Sequence, residues 1–173
     1  MINALGIDPG ISGAVALLGS DGSVRFWNTP SIKTGGKRDY DSANMQELLL
    51  EALELAVEAE NLPKGTNVEP LGLHLHAYIE RAQAMPKQGV TSMFNYGKGF
   101  GLWLGLLRGI GIPHTLVSPR RWKAVMLSDM PKDKGASLLR AKQLFPLCTS
   151  QLQLVKDHNK AEALLIAAYG QRL

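Results

Sequence analysis

One acidic residue inside an apolar, glycine-punctuated run constrains this chain more than any other feature. The run is Leu5-Gly6-Ile7-Asp8-Pro9-Gly10-Ile11-Ser12-Gly13-Ala14-Val15-Ala16-Leu17. Two apolar segments separated by a Gly/Pro/Ser turn read as paired antiparallel strands. Asp8 falls at the end of the first, with its charge held against the sheet. Burying an unpaired carboxylate is expensive, so such a residue coordinates a cation or pairs with one. The rest of the chain has to supply that partner.

At 173 residues the chain can bury a core without staples, and it is read as a single domain over 1–173. Its one cysteine, Cys148, excludes an internal disulfide and a cysteine-built zinc site, which fits a reducing compartment. No basic lead accompanies Ile2 to Leu5, so no signal peptide is expected. The longest apolar stretch, 100–112, is broken by Arg108 and several glycines and is too short to cross a bilayer. A soluble protein without a membrane partner is expected. The net charge of +4 hides an asymmetry. Residues 1–70 hold five Lys/Arg against ten Asp/Glu, whereas 71–173 hold fourteen against five. A basic half on a folded domain points to a polyanion, most commonly DNA or RNA.

The patterning predicts strands over 3–8, 14–18 and 24–28, the last two joined through Gly19-Ser20-Asp21-Gly22. The polar segment 29–41 reads as a loop. A helix over 43–60 follows, with Met45, Leu48, Leu49, Ala52, Leu53 and Ala56 at helical spacing. A Pro/Gly linker over 62–72 leads into a strand over 73–80, whose His74 and His76 read as ordinary strand histidines. The next helix, 91–111, carries Gly97, Gly101, Gly105 and Gly109 in one stripe. Each glycine costs about 1 kcal/mol relative to alanine in a helix, so the stripe implies close backbone contact, either on the sheet or against a second copy. A strand over 114–118 and helices over 119–127 and 134–145 follow. The last helix, 158–169, is apolar almost all round and is therefore expected to be buried. This order specifies an α/β mixed sheet, three antiparallel strands then parallel ones, with helices on both faces: the RNase H-like topology.

Three acidic residues have apolar neighbours: Asp8, Glu80 at the end of the fourth sheet strand, and Glu162 early in the final helix. In this topology the first and fourth strands are adjacent, so Asp8 and Glu80 converge, and the final helix brings Glu162 to them. Crowded carboxylates resist joint ionisation. A divalent cation removes the conflict, and oxygen-only ligands select Mg²⁺ or Mn²⁺. Two such ions would activate a water and steady the leaving oxygen in phosphodiester cleavage. For a further ligand, His158 lies four residues before Glu162 on the same helix face and is preferred as ligand or proton handler. Asp157 is the other candidate, and it equally suits the N-cap of that helix. A buried ion pair with a basic residue is the plainer account of Asp8 and Glu80, and Arg81 directly follows Glu80.

These residues together resemble the RuvC-type Holliday-junction resolvases, and among them the plastid branch, the monokaryotic-chloroplast resolvases, with similar sequences in bacteria and phages. The segments that carry the resemblance are 6–14, 78–89, 99–105 and 156–170. By position, Asp8, Glu80 and Glu162 match the family's metal-binding carboxylates. Asp157 and His158 fall where RuvC proteins place a further Asp or His, although the family spaces it three residues before the last carboxylate, against four and five here. Lys123 and Lys134 resemble the family's lysines at the catalytic face, where a cation offsets developing negative charge. The resemblance implies a homodimer that depends on Mg²⁺, with two ions per active site, and makes paired symmetric nicks across a four-way junction.

Around these residues lie the expected DNA contacts. Lys87, Gln88, Met93, Phe94 and Tyr96 mix amides with apolar and aromatic side chains, which suits wedging between bases and reading their edges. Phe94 and Tyr96 serve equally well as core residues. Lys33, Lys37, Arg38, Arg120, Arg121, Lys132 and Lys142 suit phosphate contacts that position DNA without reading its sequence. The expected function is a crossover junction endodeoxyribonuclease leaving 5′-phosphates. The alternatives are an RNase H-like nuclease of other specificity, such as a YqgF-type RNA nuclease, and an actin or sugar-kinase type ATP-binding protein, whose phosphate loop Asp8-Pro9-Gly10 also resembles. The expected setting is the cytoplasm or nucleoid of a bacterium or phage-infected cell, or an organelle stroma for a trimmed plastid protein.

Overall fold

The computed structural model describes residues 2–60, 74–83, 89–133 and 135–173. An antiparallel meander starts the chain: β1 (Asn3–Ile7), β2 (Ala14–Leu18) and β3 (Val24–Asn28). A small hairpin, β4 (Ser31–Thr34) and β5 (Lys37–Tyr40), stands beside it. Then come α1 (Ser42–Ala59), β6 (Leu75–Glu80), α2 (Val90–Ile110) and β7 (His114–Val117). The chain closes with α3 (Pro119–Met126), α4 (Ala136–Leu144) and α5 (His158–Gly170). Two short 3-10 turns, Pro146–Gln151 and Val155–Asp157, link α4 to α5.

The main sheet runs β3-β2-β1-β6-β7, with β6 parallel to both β1 and β7. This is the expected α/β mixed sheet, with the first and fourth strands side by side. Side-chain alternation then sorts the strands into two layers. Leu5, Ile7, Leu75, Ala77 and Ile79 pack on Met45 and Leu49 of α1 and on Trp103 and Leu107 of α2. Ala4, Ala16 and Tyr78 pack on Trp122 of α3 and on Leu164 and Ala167 of α5. Continuing the alternation, Asp8 and Glu80 fall on the α5 side. The final helix is buried from Ala161 onward apart from half-buried Glu162 and Tyr169, as its apolar circumference requires. Among the described residues no helix is long and apolar enough to cross a membrane.

The structure corrects two expectations. Residues 29–41 are not a loop, because β4 and β5 pair through Gly35 (φ 57°) and Gly36 (φ 78°). Two successive residues with positive φ make the tight hairpin turn that Gly-Gly supports. The stripe Gly97, Gly101, Gly105 and Gly109 does not pack on the sheet. It faces solvent, and a Cβ at any of the four would meet no atom. The inward glycine of α2 is Gly99, which lies against the ring of Tyr40. The expected linker 62–72 lies outside the described residues.

Candidate active site

Asp8 leaves β1 at the edge of a tight turn. Its amide donates to the Ala14 carbonyl at 3.0 Å, and the Gly10 amide donates to its Oδ1 at 3.3 Å. Burial pushes its carboxyl up to about 6 despite the Gly10 amide; Glu80 and Glu162 push the same way, while Lys123 opposes them. Glu80 is also raised by burial, with its hydrogen bond to Trp122 and the charge of Lys123 working against that and Glu162 adding to it. Side chains from β6, α3 and α5 therefore share one electrostatic neighbourhood with Asp8.

Specific donors hold two of the carboxylates. Trp122 Nε1 donates to Glu80 Oε2 at 2.6 Å. Glu162 Oε1 accepts from Lys123 Nζ at 3.1 Å and from Ser137 Oγ at 3.2 Å. Among the described residues, no three His, Cys, Asp or Glu side chains are gathered closely enough to hold one ion. The donor set is nevertheless of the right chemistry. Asp8 and Glu80 are carboxylates raised by burial and by neighbouring negative charge, a conflict that a hard divalent cation relieves.

The other sequence-predicted residues are distributed around this centre. His158 is exposed, and its Nδ1 is hydrogen-bonded to the Val155 carbonyl at 3.1 Å. Asp157 is buried, accepts the Leu154 amide at 2.9 Å and lies 3.4 Å from Lys160 Nζ. The structure does not bring these two into the carboxylate group. Tyr96 comes closer than expected: burial raises its hydroxyl pKa, and Glu80, Asp8 and Glu162 raise it further. Phe94, in contrast, is 72% exposed at the start of α2, with Met93 half-buried beside it.

Lys33, Lys37 and Arg38 project from the β4–β5 hairpin. Arg38 ties that hairpin to the turn after Asp8, donating to Ser31 Oγ at 2.8 Å and Ser12 Oγ at 3.2 Å. Arg120 and Arg121 are exposed on α3, Lys132 is exposed beyond it, and Lys142 is half-buried on α4. Lys87, Gln88 and Lys134 lie outside the described residues.

Three neighbours of the site escaped the sequence reading. Trp122 and Ser137 carry no local signal, because their partners are 42 and 25 residues away. Tyr40, whose hydroxyl donates to the Pro9 carbonyl at 3.3 Å, was hidden in the supposed loop. The Gly35-Gly36 turn was the available clue.

No family model matches the chain. Over 142 residues it is 36% identical to the chloroplastic Holliday junction resolvase MOC1 of Chlamydomonas reinhardtii, a match that spans 82% of this chain. The chain spans 15% of the length of that curated relative. Among solved structures, T. thermophilus RuvC in complex with Holliday junction substrate matches with a TM-score of 0.57 at 18% identity, covering 99% of this chain and 96% of that one. A second Thermus thermophilus RuvC structure matches at 0.54 and 17% identity with the same coverage. The chain thus has the fold of RuvC and resembles a Holliday junction resolvase in sequence, the likeness read from its motifs.

Proposed function

We propose that this RuvC-like, resolvase-like chain is a metal-dependent endonuclease that cuts four-way DNA junctions as a homodimer. The observation that supports the reading is that the charges of Glu80, from β6, and Glu162, from α5, both act on the buried carboxyl of Asp8 at the end of β1. The likeness to a plastid resolvase, extending over most of this chain, supplies the substrate class. An organelle or bacterial nucleoid is the setting that fits it.

In this reading Asp8, Glu80 and Glu162 hold Mg²⁺ or Mn²⁺. When bound, such ions acidify a water and offset charge on the scissile phosphate. Water would attack phosphorus in line and give up its proton to solvent, the bond to the 3′-oxygen would break with that oxygen taking up a proton, and the product would keep a 5′-phosphate. Lys123, released from Glu162, places its ammonium where charge develops. His158, exposed and bonded to the Val155 carbonyl, is given no step in the chemistry. Asp157 is assigned to holding the turn before α5, not to an ion. Phe94 and Met93 wedge between bases, while the hairpin lysines with Arg120, Arg121, Lys132 and Lys142 track phosphates. Of the two readings of the glycine stripe, contact with a second copy is the one adopted, since the stripe leaves room for a close helix approach.

The test compares a labelled synthetic four-way junction with a matched linear duplex, in Mg²⁺ and in EDTA, for the protein and for Asp8→Asn. The expected result is paired symmetric nicks in the junction alone, lost in EDTA and in Asp8→Asn while junction binding survives. Binding without cutting in Mg²⁺, or no preference for the junction, would overturn the proposal.

A further inference from the structure

We propose that Trp122 is a positioning residue for Glu80, fixing how this carboxylate is offered to an ion; the inference rests on the reading of the carboxylate group as an ion site. The Trp122 side chain is fully buried, in the same core layer as Met126, Ala141 and Leu164. Its ring has no freedom to follow a moving partner. Its Nε1–H donates to Glu80 Oε2 at 2.6 Å, which pins one oxygen of a carboxylate that shares the electrostatic neighbourhood of Asp8 and Glu162. Such a bond is not a general consequence of burial. The Nε1 of Trp103, equally buried, has no hydrogen-bond partner among the described residues.

The neutrality of the donor matters. A cation at this place would compete with a bound ion for the carboxylate charge, whereas an indole N–H orients the carboxylate and favours its ionised form without adding charge. The next residue illustrates the contrast. Lys123 Nζ lies 3.1 Å from Glu162 Oε1 and 5.0 Å from the centre of the Trp122 ring. Successive positions of α3 therefore hold two carboxylates in different ways. At Glu162 a bound ion would compete with that ammonium, and Lys123, once released, could meet a phosphate. The Trp122–Glu80 bond can persist with the ion in place. Groups that orient a metal ligand from behind typically contribute about ten- to a hundredfold to ion affinity.

The experiment uses the full chain labelled with ¹⁵N-tryptophan, whose three indole N–H resonances come from Trp27, Trp103 and Trp122. Trp122→Phe identifies the third. Titration with Mg²⁺ is expected to move the Trp122 resonance in the wild-type protein and not in Asp8→Asn. By calorimetry, Trp122→Phe is expected to bind Mg²⁺ about ten- to a hundredfold more weakly. Should Trp122→Phe fail to fold, sequential assignment of the three indole resonances in the wild-type protein replaces it, and the wild-type and Asp8→Asn titrations decide. Mg²⁺ binding that depends on Asp8 yet leaves the Trp122 resonance unmoved overturns the role of Trp122 and spares the ion site. Unchanged Mg²⁺ affinity in a folded Trp122→Phe protein does the same. Absence of any Asp8-dependent Mg²⁺ binding overturns both.

Discussion

Gly6 and Ala163 are in backbone contact where α5 crosses β1: a Cβ on Gly6 would overlap the Ala163 carbonyl oxygen and stand 2.6 Å from the Ala167 amide nitrogen. Glu162 immediately precedes Ala163, so this close approach also sets the height of Glu162 above the sheet. A side chain at position 6 can be admitted only by lifting the helix.

Gly6→Ala is accordingly expected to lose about 1–3 kcal/mol of stability, the usual cost of overpacking a dense interior. Urea unfolding measures the loss. Displacement of Glu162 should also weaken Mg²⁺ binding, and a variant with unchanged stability would show that α5 is free to move away.

The raised carboxyl of Asp8 has a stability consequence in the absence of metal ions. Its folded pKa of about 6 lies above the ordinary 3.8. Below both values the group is protonated in either state and contributes nothing. As pH rises from 3.8 through 6, the folded state is progressively penalised for ionising it, and the full cost, roughly 3 kcal/mol at most, persists above that window. Asp8→Asn removes the penalty. It should therefore be more stable than the wild type in EDTA at about pH 8, with the difference shrinking toward zero as pH falls to about 4. Equal unfolding midpoints at both pH values would contradict this.

Asp157 and His158 are adjacent yet differently engaged. Because Asp157 accepts the Leu154 amide at 2.9 Å, Asp157→Ala is expected to lose about 1 kcal/mol of stability, as for a lost cap. Its nicking rate at saturating Mg²⁺ should stay within a few-fold of wild type. A loss of about a hundredfold in nicking, with stability unchanged, would instead place Asp157 in the chemistry.

The exposed stripe on α2 gives the homodimer a direct test. In Gly101→Leu the new side chain projects into open space, so the folded subunit should be unharmed. Sedimentation should show a dimer at least about tenfold weaker than wild type, a difference near 1.4 kcal/mol. An undisturbed dimer would move the contact elsewhere.

Phosphate tracking by the β4–β5 hairpin predicts a salt effect. Lys33→Ala with Lys37→Ala should weaken binding to all junction sequences alike and reduce the salt slope by about two. A change confined to one junction sequence would mean that the hairpin reads bases.

Asp8, Glu80 and Glu162 stood out in the sequence because each is a charge among apolar neighbours, a property of the local chain. The adjacency of β1 and β6 followed from element order. Side-chain alternation, counted along both strands, is enough to aim Asp8 and Glu80 at the same face. The β4–β5 hairpin was not legible, since polar residues on both sides erase the two-residue period, leaving only Gly35-Gly36 as a sign. Spacing alone put Gly97, Gly101, Gly105 and Gly109 on one face of α2, but which way that face turns was decided by Trp103 and Leu107 packing on the sheet. Nor does any local pattern join Trp122 to Glu80, or Ser137 to Glu162, across 42 and 25 residues. Those bonds arise only when α3 and α4 pack beside α5, because a hydrogen bond between distant residues depends on the angle and depth at which their elements meet.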